Sequence, residues 1–219
     1  MTFCPLDVHS SIERRCAAAR DGRLQPYSDM MRANVLDVVT SMFPRFAARR
    51  GQEAVARDVD EFVRNFGATR AQFMHISTEF VRFSEGRFDD PVERTLLEYE
   101  WMLFAVEISE SHVASPPVDR TAKSLADIRL NPTLQLIAVP FDLEVTEAVA
   151  ERMACEGGSP FIYAVYRTHD HVVVTQSLSE IDVGVLREMA DETSPTGSDD
   201  RTAWISDALQ LGLAVAHHT

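Results

Sequence analysis

Five carboxylates crowd one predicted helix: Glu93, Glu98, Glu100, Glu107 and Glu110 fall between Val92 and Val113, with His112 near its end. Inside a helix bundle such a set suggests a carboxylate-bridged di-iron centre. That chemistry needs Glu-x-x-His pairs on facing helices, because residues three apart share a face and reach one metal. No glutamate in the chain is followed three residues later by histidine, so these side chains read as solvated or ion-paired. His169 and His171 flank Asp170 and would share a face if extended, but a third ligand is missing and they read as exposed turn histidines. Cys4, Cys16 and Cys155 are too scattered for a disulfide framework or a zinc site. No nucleophile elbow, phosphate-binding loop, dinucleotide fingerprint or zincin helix occurs. The chain therefore reads as having no catalytic residue and no metal of its own.

What remains is recognition through the backbone. Phe161–Arg167 and Val172–Ser177 are rich in β-branched and aromatic residues, and Thr168-His169-Asp170-His171 between them is short and polar, which predicts an antiparallel hairpin. Its second strand is a candidate edge, a row of unpaired donors and acceptors able to take one more strand from a peptide. Val172, Val173, Val174, Thr175 and Gln176 are the candidate peptide-binding residues, with Trp204 and Leu209 lining the groove. Ser179-Glu180-Ile181-Asp182 sets a hydroxyl three residues ahead of a carboxylate, the start of a helix carrying Val185, Leu186 and Met189. A polar loop from Thr193 to Asp200 leads to a second helix, with Trp204, Ile205, Ala208, Leu209 and Leu211, stopped at Gly212.

The elements that hold this module begin upstream. Ser10-Ser11-Ile12-Glu13 predicts a first short helix closed by Gly22. Tyr27, Met30, Met31, Asn34, Val35, Val38, Val39, Met42 and Phe43 recur at helical spacing up to Pro44. Val55, Val59, Phe62, Val63 and Phe66 form a second stripe, and Phe73, Ile76, Phe80, Val81 and Phe83 a third. Asp89-Asp90-Pro91 opens the longest helix, with Leu97, Trp101, Phe104, Ala105 and Ile108 expected to face inward. The prediction is α+β: an all-helical bundle over 1–115, then a small winged-helix-like domain over 116–219, the boundary set by Ser115-Pro116-Pro117. In the second part the period changes from Leu125, through Asp127-Ile128-Arg129-Leu130 and Pro132; Thr133–Val139 reads as a strand and Leu143–Met153 as helix.

The 219 residues carry a formal net charge of −13. Positions 1–115 hold 18 acidic against 14 basic residues, and 116–219 hold 16 against 7. A phosphate backbone needs a basic face, so this balance opposes nucleic-acid binding and weakens the alternative of a winged-helix DNA regulator. It favours a basic partner. No apolar run approaches the roughly 20 residues that span a bilayer, and the N-terminus lacks a signal pattern, so a cytoplasmic protein without a membrane partner is expected.

Three runs then carry a resemblance. Tyr27…Met31-Arg32-Ala33-Asn34-Val35…Met42-Phe43-Pro44-Arg45-Phe46, Leu97-Glu98-Tyr99-Glu100-Trp101 and Leu130-Asn131-Pro132-Thr133-Leu134-Gln135-Leu136 together resemble the HvfC-type partner subunits of multinuclear non-haem iron oxidases. Length and the acidic second half are most similar to the methanobactin-biosynthesis branch, the MbnC-type subunits. The resemblance implies a heterodimer with an MbnB-like multinuclear iron oxidase, which holds the iron and converts precursor-peptide cysteines to oxazolone and thioamide groups with dioxygen. The precursor's basic leader would lie on a C-terminal domain similar to the PqqD kind. An adaptor for another cysteine-modifying iron oxidase is the sister possibility. Asn34, Glu98 and Trp101 match the family motif and are the candidate partner-interface residues, though a satisfied polar group and a packed aromatic explain them as well. Asn131 stands where the family has histidine.

Overall fold

The computed structural model describes residues 25–66, 73–115, 128–190 and 199–216; the helix expected over Ser10–Gly22, the loop from Thr193, Cys4, Cys16 and the side chain of Tyr27 lie outside them. The protein is α+β, with helices gathered toward the N-terminus and strands toward the C-terminus. It forms two compact units, Met1–Trp101 and Met102–Thr219.

The first unit contains α1 (Gln25–Met42), α2 (Pro44–Arg50), α3 (Gln52–Glu61) running into a π-helical turn (Phe62–Phe66), α4 (Phe73–Ser84) and most of α5 (Pro91–Glu107). Its core is phenylalanine. Phe80 touches the rings of Phe43, Phe46, Phe62 and Phe83 at centroid distances of 5.6–6.3 Å, within the range of favourable aromatic pairs. In α1 the buried stripe is Val35, Val38 and Val39, continued by Phe43; Met30 and Asn34, placed on that stripe by periodicity, are exposed instead.

Helix α5 ends six residues before the expected Val113. Ser109 Oγ accepts the backbone N–H of Ser111, a local turn that competes with helix continuation, and the Arg167 guanidinium takes the carbonyls of Glu107 and Ser111. The inward face is also rotated: Val92, Leu96, Leu97, Tyr99 and Val106 are buried, whereas Ile108 is exposed. Among the five carboxylates, Glu98, Glu107 and Glu110 face solvent, but Glu93 and Glu100 are buried. Glu93 pairs with Arg50. Glu100 accepts the backbone N–H groups of Arg45 and Phe46 at 2.9 and 3.0 Å. It thus caps the start of α2, where Phe43 provides no side-chain cap.

The second unit carries β1 (Ile128–Leu130), β2 (Gln135–Val139), α6 (Glu147–Glu156), β3 (Phe161–Arg167), β4 (Val173–Leu178), α7 (Glu180–Ala190), α8 (Asp199–Leu211) and β5 (Ala214–Ala216). Strands β2, β3 and β4 form an antiparallel sheet in that order, and β1 pairs with β5. Helix α6 starts four residues later than expected because Asp142 Oδ1 first accepts the N–H of Glu144. On one face of the sheet Ala164, Tyr166 and Leu178 join Leu186 of α7, Ile205 and Ala208 of α8, and Leu213 in a single core. The opposite face buries Ile137, Val139, Tyr163 and Val165. The Tyr163 hydroxyl donates to Asp142 and accepts from Leu143 N–H, and burial beside that carboxylate pushes the phenol up to about 12.

Candidate functional site: the open edge of β4

Strand β4 pairs with β3 and with no other strand among the described residues. The register runs from Ile162 opposite Leu178 to Arg167 opposite Val173. Beyond it Thr168 N–H donates to Val172 O at 2.9 Å. An antiparallel ladder alternates hydrogen-bonded with non-bonded pairs. Counted from that bond, Val174, Gln176 and Leu178 turn their backbone groups toward β3, while Val173 and Ser177 turn theirs to the open side. The ladder therefore has the polarity an added strand needs.

The hairpin turn is tight. His171 adopts φ 64 and donates its N–H to Thr168 O, while Thr168 Oγ1 accepts from Val172 N–H. His169 Nε2 lies 3.2 Å from Asp170 Oδ1. Both histidines sit in the turn and not on one strand face, and the described residues gather no set of three His, Cys, Asp or Glu side chains.

Helix α7 starts where the sequence placed it. Ser179 N–H and Oγ–H both donate to Asp182 Oδ2, at 2.7 and 2.6 Å, and Asp182 N–H returns a bond to Ser179 Oγ. This is a reciprocal capping box. The remaining oxygen, Asp182 Oδ1, accepts the Trp204 indole N–H at 2.7 Å. Burial pushes the Asp182 carboxyl up, but the bonds from Ser179 and Trp204 outweigh it and hold the group below the usual carboxylate range. Trp204, expected to line the groove, ties α8 to the start of α7 through this bond.

The candidate peptide residues are brought together in part. Val173, Val174, Thr175 and Gln176 lie half-buried along the edge, and Val174, Trp204 and Leu209 pack against the same core. Val172, expected as the first strand residue, lies just outside β4 and is 57% exposed. With Leu209 it lines an open cavity of about 320 Å³ bounded by Thr168, Asp170, Leu211, Gly212 and Val215. In the first unit Asn34 and Glu98 are exposed, so neither is a satisfied buried group, and half-buried Trp101 donates its indole N–H to Thr78 Oγ1.

Sequence reasoning missed the group that sets the hairpin's base. Asn131 is 3% exposed. Its Nδ2 donates to Arg167 O and Gly212 O at 2.9 and 2.7 Å, and its Oδ1 accepts from Thr133 N–H and Oγ1–H at 2.9 and 2.7 Å. All four hydrogen-bonding positions of the amide are used. Thr133 Oγ1 in turn accepts the N–H of Arg167. One side chain thereby joins the β1–β2 turn, the end of β3 and the turn after α8. A histidine there could not offer two donors and two acceptors from one planar end.

No protein-family profile matches the chain, and no characterised protein matches its sequence. Among the described residues no helix is long and apolar enough to cross a membrane.

Proposed function

We propose that this chain is a non-catalytic partner subunit of an iron- and dioxygen-dependent oxidase that modifies cysteines of a ribosomally made peptide in the cytoplasm, holding the precursor's basic leader as an added strand on β4. The observation that carries the reading is the open edge of β4, with outward backbone groups at Val173 and Ser177, in a strongly acidic half of the sequence. The three-run resemblance to HvfC-type subunits supplies the oxidase, and the methanobactin branch supplies oxazolone and thioamide formation as the chemistry. The helical unit docks the oxidase through the surface bearing Asn34, Glu98 and Trp101, and this chain contributes no metal ligand.

Co-expression with an MbnB-like oxidase and its precursor, followed by co-purification and intact-mass analysis of the peptide, tests the whole reading. A stable heterodimer is expected, with the peptide mass changing only when this chain is present. An oxidase that modifies the precursor unaided would overturn it.

A further inference from the structure

Two large apolar side chains that the fold leaves exposed, Val172 and Leu211, line the same open cavity of about 320 Å³. Exposed apolar groups gathered around a concavity mark a binding surface. The hairpin turn, the end of α8, strand β5 and the pair Val113-Ala114 complete the wall, and all of these belong to the C-terminal unit.

The cavity follows a strand edge. Ala214, Val215 and Ala216 all line it; successive strand side chains point to opposite faces, so a cavity that reaches all three lies along the edge of β5. Asn131 N–H donates to Leu213 O at 2.9 Å, and Arg129 stands opposite Val215. By the alternation of an antiparallel ladder, Leu213 and Val215 turn their backbone groups toward β1, whereas Ala214 and Ala216 turn theirs away. No strand pairs on that side among the described residues. The volume stands at the small end of ligand pockets, roughly 300–1,000 Å³. It suits one anchoring side chain and the backbone that carries it, not a whole leader.

Charge selects what accompanies the anchor. Exposed Asp170 lines the cavity, with His169 Nε2 at 3.2 Å, and no lysine or arginine is among the described lining residues. An apolar cavity with an anionic rim, in a half of the sequence holding 16 acidic against 7 basic residues, complements a cationic segment and repels a second copy of this acidic chain.

We infer that the β5 cavity is a peptide subsite of its own: it takes an aliphatic or aromatic side chain of an extended segment that pairs with the outward backbone of Ala214 and Ala216, and Asp170 receives a lysine or arginine beside that side chain. This rests on the reading of the C-terminal unit as a leader binder and requires no bond from β4.

The test is a phage-displayed library of random dodecapeptides selected on the purified full-length chain, with recovered peptides measured on wild type, L211S and D170K and mapped by amide NMR. Both substituted side chains are exposed, and circular dichroism checks that the variants keep the fold. Peptides with an apolar residue next to Lys or Arg are expected, binding L211S and D170K about tenfold more weakly and shifting the Ala214 and Ala216 amide signals; a tenfold change is about 1.4 kcal/mol. Peptides that shift Val173 and Ser177 instead, and bind L211S as tightly as wild type, overturn the cavity and leave the β4 edge standing. Peptides weakened by L211S but indifferent to D170K overturn the basic neighbour at Asp170. Peptides that shift neither pair of amides, or no enrichment at all, overturn the leader-binding reading and this inference with it.

Discussion

At the scale of single residues, two polar side chains join distant or successive segments of the C-terminal unit. Asn131 saturates its amide between segments that lie 36 and 81 residues away. Asn131→Asp exchanges two donors for a carboxylate oxygen facing the carbonyls of Arg167 and Gly212, and buried groups left unpaired cost about 1–3 kcal/mol each. We expect N131D to lose at least about 3 kcal/mol in urea unfolding, followed by Trp204 fluorescence in a W101F background. Asp182 gives a pH dependence of definite sign. Its folded carboxyl is held below its ordinary value, so the folded state favours the charged form. The resulting stability is fully present above the unfolded value, about pH 3.9, and is lost as pH falls through the folded value. The urea midpoint of D182N should lie below that of wild type at neutral pH, and the gap should close in acid; a gap constant down to about pH 2.5 would remove the carboxylate from the account.

At the scale of elements, what was legible in the sequence is what is local. The β3–β4 hairpin, the Ser179 start of α7 and the Gly212 stop of α8 each rest on residues within a few positions of one another, and the structure has all three. Strand β5 was not legible: Ala214–Ala216 is three residues long and becomes extended by pairing with β1, which no local propensity announces. Glu100 and Asn131 escaped for the same reason, since the groups Glu100 caps and the two carbonyls Asn131 donates to are more than 30 residues distant and each residue type alone reads as surface polar. The end of α5 escaped because the carbonyls it frees are taken by Arg167, 56 and 60 residues on. The edge itself yields a prediction at this scale. Val173→Pro removes one outward N–H from β4 but none that β3 uses. Binding of the precursor leader should fall at least about tenfold, the worth of one ladder bond and the packing it aligns, while the thermal transition of the C-terminal unit moves little. Isothermal titration and differential scanning calorimetry separate the two quantities.

At the scale of the whole molecule, charge is the strongest statement the chain makes. A net −13, most of it after position 115, sets a field that attracts cationic segments and repels phosphate backbones. Leader affinity should therefore drop about tenfold between roughly 0.05 and 0.5 M sodium chloride, as the Debye length contracts from more than 10 Å to a few ångströms. Affinity flat across that range would assign the binding to apolar contacts and detach it from the acidic half. Two tryptophans serve two units, Trp101 closing the first and Trp204 bonded within the second, so each can be followed in the other's absence. The four-bond amide at the base of the hairpin has one further consequence, in chemical durability. Asparagines age to aspartate when the side chain cyclises onto the next backbone nitrogen, and the result here would be the damaging N131D exchange. The next residue is Pro132, whose nitrogen carries no hydrogen, so that route is closed and the joint should keep its amide for the lifetime of the protein.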